Sequence, residues 1–192
     1  PVRVELDLAV APERAKAELI RLVKKTKRLD VERFLSELED ACGVELSAAQ
    51  EKKLVDDSLM TWDEVKLLAA AGMDVGSHTR SHRVLQTLDP SEHASELRGS
   101  REELEERLGR EVRSIAYPVG YSLGTDEVLR GAVSSAGYDL GFTCRAAVMP
   151  TFAHPDPLDV PRFLMDVSYD AQRFSAFTSV PGLAPRTSID LG

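Results

Sequence analysis

His78 and His82 stand four positions apart in Gly76-Ser77-His78-Thr79-Arg80-Ser81-His82, directly after the short apolar run Met73-Asp74-Val75. Two imidazoles at this spacing can converge on one divalent cation if the backbone between them makes a single helical turn. A strand end that passes into a loop is also where α/β enzymes place their chemistry. Gly76 permits close backbone approach, and Ser77, Thr79 and Ser81 supply hydroxyls that can orient a ring from behind. A metal held by two histidines still lacks at least one ligand. The competing reading is a pair of exposed or hydrogen-bonded histidines that hold no ion.

A second segment, Ala116-Tyr117-Pro118-Val119-Gly120, follows another apolar run. It reads either as an ordinary Pro-Gly turn or as a turn whose main-chain N–H groups point into a site and stabilise an oxyanion, where side-chain identity matters less.

The elements that must position these groups follow from periodicity and caps. Val2, Val4, Leu6 and Leu8 alternate with charged residues, a half-buried strand pattern. Pro12 opens a helix to about Arg28 whose last turn is rich in Lys and Arg, as the helix dipole favours. Asp30 can cap a second helix that stops near Gly43. Ser47 with Gln50, and Thr61 with Glu64, have the spacing of reciprocal capping boxes. Residues 12–60 thus read as three helices without strands. From Thr61 the pattern alternates: helix 62–71, strand 73–77, a helix from Pro90 to about 108, strand 114–117, a helix from Thr125 to Ala136 closed by Gly137, and strand 138–143. Such alternation predicts an α/β fold with parallel strands and helices packed outside. A further strand is expected at 162–167, and the chain after Val180 looks loose.

The bulk composition narrows the partners. At 192 residues, one core can bury roughly 70% of the surface that the unfolded chain exposes. A net charge of −8 argues against a nucleic-acid backbone, which needs a basic face. A neutral or cationic sugar polymer remains compatible. No run approaches the ~20 apolar residues of a membrane span. Cys42 and Cys144 form no framework spacing and read as buried free thiols.

The order of segments resembles a known family. Thr61-Trp62-Asp63-Glu64-Val65 through Ala71-Gly72-Met73-Asp74-Val75-Gly76-Ser77-His78-Thr79-Arg80-Ser81-His82 resembles the second motif region of the polysaccharide deacetylases, the NodB-like carbohydrate esterases. The Tyr117-Pro118-Val119-Gly120 turn looks like their third motif, and 137–143 is similar to the next strand; the resemblance covers about 61–165. It implies a partial or distorted (β/α) barrel over 61–192, with 1–60 as a mainly helical insert packed on it. It also implies a divalent metal, probably zinc, held by Asp-His-His, here with His78 and His82 as ligands. In such enzymes an activated water attacks the N-acetyl carbonyl of a hexosamine in a polysaccharide, an aspartate acts as base, and a late histidine protonates the leaving amine. Val119 would give the main-chain oxyanion donor, while Tyr117 and Pro118 would shape the acetyl pocket.

The departures matter equally. The family's first motif, a strand ending in Phe-Asp-Asp, does not occur here. Asp56-Asp57 lies in a polar helical stretch, and Asp74 is about 13 Å from His78 along an extended strand. His154 sits in a Pro-rich loop, and His93 reads as a helix-surface residue. Ala116 stands where many relatives carry arginine, and Val119 where they often carry an aromatic. The expectation is therefore the C-terminal two-thirds of a deacetylase domain, related to the exopolysaccharide-assembly branch, with its general base and third ligand upstream. It would be weakly active or inactive alone and prone to self-associate through an exposed sheet edge. The alternatives are a non-catalytic carbohydrate- or partner-binding descendant, and a helical interaction domain at 12–60 appended to a small α/β unit.

Overall fold

The computed structural model describes residues 10–147, 156–165 and 168–180. The strand expected at 2–8, His154 and the chain beyond Val180 lie outside them. The described chain forms two compact units, one of Pro1–Leu59 with Gln86–Asp89 and one of Met60–Leu85 with Pro90–Gly192.

The first unit holds α1 (Pro12–Lys25), α2 (Val31–Cys42) and α3 (Ala48–Ser58). Their ends are set locally. Asp30 accepts from the Arg33 amide, Gly43 ends α2 in the left-handed region at φ 61°, and Ser47 and Gln50 form the reciprocal box. Gln86–Asp89 is tied to the end of α1 by the Arg28 N–H donating to Thr87 O at 2.7 Å and by an Arg28–Asp89 ion pair. α2 and α3 bury no residue, and Leu35, Leu54 and Val55 stand exposed. Cys42 is exposed at the end of α2 because that helix has no buried face; Cys144 is buried, as expected.

The second unit opens with α4 (Trp62–Ala70), whose Thr61–Glu64 capping box forms as read from the sequence. It continues through α5 (His93–Leu108), β1 (Ser114–Ala116), α6 (Glu127–Ser135), β2 (Leu140–Phe142) and α7 (Ala171–Ser179). α5 packs against α4 and α6, and Trp62 lies under the Arg107 guanidinium. Leu97, Ile115, Leu129 and Val133 are fully buried, each contributing about 1.5–3 kcal/mol by leaving water. Among the described residues no helix is long and apolar enough to cross a membrane.

The strands are shorter than their sequence patterns suggest. β1 and β2 pair in parallel, Ile115 opposite Gly141. Isolated parallel bridges extend the array on both sides, Ser77 to Ile115 and Val160 to Phe142. The expected strand at 73–77 thus contracts to one bridge. The expected strand at 162–167 is replaced, in its described part, by the bridge at Val160. The described residues make a four-position parallel array with helices rather than a closed barrel. Its strands are cut short by the turn at Pro118 and by an irregular segment after Phe142. Asp126, not Thr125, caps α6 by accepting from the Leu129 amide, because its carboxylate lies three residues before that N–H. α7, capped by Asp170, has no counterpart in the sequence reading.

Candidate metal and substrate site

Because the four strand positions run parallel, the residues that follow them emerge at one end. His78 follows Ser77 and Tyr117 follows Ala116, so the two motif loops lie side by side at the C-terminal edge, the usual functional edge of a parallel array. Two bonds lock them together, Ser77 N–H to Ser114 O and Ala116 N–H to Ser77 O, both at 2.9 Å. Gly76 suits this approach: a Cβ there would sit 2.6 Å from Ser114 Oγ, which would have to turn aside, and 3.1 Å from Ser114 O.

His78 Nδ1 lies 2.6 Å from Ala116 O. A carbonyl only accepts, so Nδ1 carries the proton and donates, and the Nε2 lone pair is left to bind an electrophile. The His78 and His82 rings are edge to face, with centroids 4.7 Å apart and planes at 70°. Two imidazoles on one tetrahedral ion with metal–nitrogen distances of about 2.0–2.1 Å have ring centroids about 5 Å apart. The observed separation therefore suits a shared ion. Both histidines are solvent-exposed.

The backbone reaches this arrangement without the helical turn expected from the spacing. Thr79 and His82 instead adopt left-handed φ of 66° and 57°, and Val119 on the neighbouring loop has φ 61°. For β-branched Thr79 and Val119 this conformation costs on the order of 1–3 kcal/mol. Thr79 Oγ1 is also buried without a hydrogen-bond partner, a second local cost at the same loop. Such strain gathers where a loop is held for a purpose.

In the Pro118–Gly120 turn the closing bond runs from Gly120 N–H to Tyr117 O at 2.8 Å, so the Val119 N–H is not the donor that closes it. Pro118 and Tyr117 are buried. The Tyr117 hydroxyl donates to Leu158 O at 2.7 Å, so it braces the turn from beneath. Burial pushes the Tyr117 phenol above its ordinary range, with Asp159 and Asp156 adding to the rise. Tyr138 is raised too, chiefly by burial. A raised phenol stabilises the fold fully below its unfolded value of about 10 and loses that contribution as pH rises further. An ultraviolet titration should therefore show two tyrosines that resist ionisation above about pH 10 until the fold opens.

The other sequence candidates lie elsewhere. Asp56 and Asp57 form exposed ion pairs with Lys52 and Lys53 on α3, each at 2.6 Å. Asp74 is exposed. His93 is not a surface residue but 5% exposed, because its Nε2–H donates to Leu85 O at 3.1 Å as α5 packs. Among the described residues no group of three or more His, Cys, Asp and Glu side chains converges on one point. The pair fits two positions of a metal's coordination sphere, and no described carboxylate or thiol fits a third.

Sequence reasoning passed over Glu96 and Ser100. Both are buried on α5 and grip the histidine loop: Glu96 accepts from the Arg80 and Ser81 amides, and Ser100 hydrogen-bonds Ser77. The available signal was polar residues at 93, 96 and 100, an i, i+3, i+7 stripe on one helix face.

The family model for polysaccharide deacetylases matches residues 34–141, more than half of the chain. This chain belongs to the polysaccharide deacetylase family. YxkH of Bacillus subtilis (strain 168), named for the same family, is 31% identical over 84 residues, covering 44% of this chain and 29% of YxkH. The crystal structure of BC0361, a polysaccharide deacetylase from Bacillus cereus, superposes with a TM-score of 0.53 at 24% identity, over 61% of this chain and 36% of that one. The Streptococcus pyogenes deacetylase PplD, solved with acetate, gives 0.53 at 21% identity, over 60% of this chain and 49% of its own. These structural likenesses establish the deacetylase fold. The chain spans less than a third of YxkH's length and less than half of either solved chain.

Proposed function

We propose that this deacetylase-family chain contributes the two imidazole ligands and the oxyanion-binding turn of a metal-dependent hydrolase that removes N-acetyl groups from hexosamine units of a polysaccharide. The observation that carries the reading is the His78–His82 pair, 4.7 Å between ring centroids, with the His78 Nδ1 proton held by Ala116 O. His78 Nε2 and His82 would hold a borderline ion such as zinc, which takes nitrogen and oxygen ligands together. Bound there, the metal supplies Lewis-acid polarisation of the amide carbonyl and lowers the pKa of a coordinated water to about 7. Val119 N–H would hydrogen-bond the oxygen that gains charge as the carbonyl is attacked. Tyr117 and Pro118 would form the rigid floor of the acetyl pocket, since their buried side chains set the turn's position.

Two aspartates from outside the described residues would take part, one completing the ligand set and the other acting as base. A second copy or a complementing segment could cover the outer side of the Ser77 strand position and the exposed Leu67 and Met73. The absence of a third ligand among the described residues also favours a second reading, a carbohydrate-binding descendant that has lost the chemistry. Acetate release from an N-acetylated chitooligosaccharide separates them. This chain alone should show little or no zinc-dependent turnover. Joined to an aspartate-bearing strand segment from a relative, it should gain turnover that a chelator removes. Binding of the sugar without turnover in the joined protein would favour the second reading.

A further inference from the structure

Three polar residues are buried along one face of α5: His93, Glu96 and Ser100, at 5%, 8% and 5% exposure. Polar groups so deep are costly unless hydrogen-bonded, and each of these bonds to a residue of the 77–85 segment. Glu96 makes the most such bonds. Its Oε2 accepts the Arg80 N–H at 3.1 Å and the Ser81 N–H at 2.9 Å, and its Oε1 accepts the Ser81 hydroxyl at 2.6 Å. One turn further along α5, Ser100 Oγ hydrogen-bonds Ser77 Oγ, which also accepts the Thr79 N–H at 3.2 Å. The Thr79, Arg80 and Ser81 amides between the two histidines thus each donate to a side chain rather than to backbone.

We infer that Glu96 is a positioning residue whose carboxylate holds the His78–His82 loop in its ion-binding shape. The loop has left-handed residues at Thr79 and His82, and a backbone held away from its preferred conformations needs surrounding structure to impose them. The carboxylate imposes them by fixing two consecutive amides and one hydroxyl, those of Arg80 and Ser81, between the two histidines in the chain. The inference rests on the reading of the pair as metal ligands, but its geometric part can be measured without metal.

Two variants of this chain test it. Glu96→Gln keeps an oxygen for both amides and can donate to the Ser81 hydroxyl, which is able to accept. Glu96→Met removes every acceptor while keeping a long side chain. In metal-free protein, the nuclear Overhauser contact between the His78 and His82 ring protons should persist in the parent and in Glu96→Gln, and vanish in Glu96→Met. Amide resonances of Ser114–Ala116 and Leu140–Phe142 should stay in place in both. Zinc affinity should fall roughly 10–100-fold in Glu96→Met, as for lost supporting bonds behind a ligand, and stay near the parent's in Glu96→Gln. Retention of the ring contact in Glu96→Met overturns the inference, as does loss of the sheet resonances in both variants. Zinc binding by the parent that His78→Ala leaves unchanged would instead sink the metal reading, and the ring contact would still decide the role of Glu96.

Discussion

Zinc binding by this chain should fall below detection on replacing His78 with Ala, a larger loss than the roughly 10–100-fold that follows from removing a supporting hydrogen bond. The substitution would delete one of the two proposed nitrogen ligands and with it the ring whose orientation Ala116 O sets. With a single imidazole left, the remaining site offers no chelate. His82→Ala should have the same effect, and the double variant should add nothing, because either loss already destroys the pair. Asp74→Asn should leave affinity unchanged, since that exposed side chain lies on the approach to the loop and not within it. Isothermal titration of zinc into the parent and the four variants checks the set. Equal affinity in His78→Ala and the parent would mean that the rings do not share an ion.

The second large effect is on stability. Gly141 lies in β2 opposite Ile115, and a Cβ there would stand 2.6 Å from Leu158 O and closer still to the Tyr117 hydroxyl. Neither neighbour yields easily: one is backbone, and the other is a buried ring whose hydroxyl is bonded to that same carbonyl. Gly141→Ala should therefore cost about 3 kcal/mol, combining overpacking of about 1–3 kcal/mol with loss of a buried hydrogen bond worth about 1 kcal/mol. Urea unfolding gives the measurement. Adding Tyr117→Phe removes part of the obstruction, so the double variant should be less destabilised than the sum of the single ones. Strict additivity would show that the phenol is not what the new methyl meets.

The consequences for the site differ between these two substitutions. His78→Ala should leave unfolding nearly unchanged, because an exposed side chain contributes little to the core. Gly141→Ala acts on the floor beneath the Tyr117 turn, so it disturbs the proposed oxyanion-binding loop through the fold. Ligand chemistry and scaffold strain are in this way separable by comparing zinc titration with urea titration on the same proteins.

What could be read from the residues was what nearby residues decide. The Ser47–Gln50 and Thr61–Glu64 boxes close within one turn, so their side chains name the helix starts. Gly43 and Gly137 take left-handed φ where the pattern places stops. The histidine spacing and the Tyr-Pro turn carried the family, and the alternation of strand and helix patterns carried the parallel α/β arrangement. The strands were legible only as locations: apolar alternation marks where a strand can form, but its length depends on neighbours that arrive from elsewhere in the chain. Hence the stretch before His78 pairs only at Ser77, and Val160 supplies the fourth strand position.

By itself the sequence determined the capping-box helix starts, the glycine stops, the family and the two candidate loops, since each depends on residues within a few positions of one another. Only the tertiary structure decided how those loops are held. His78 is oriented by a carbonyl 38 residues away, and the turn between the histidines is shaped by a carboxylate 15 residues beyond Ser81. Such partners are brought together by packing of α5 and β1, and no local pattern encodes which buried polar group will meet which backbone amide.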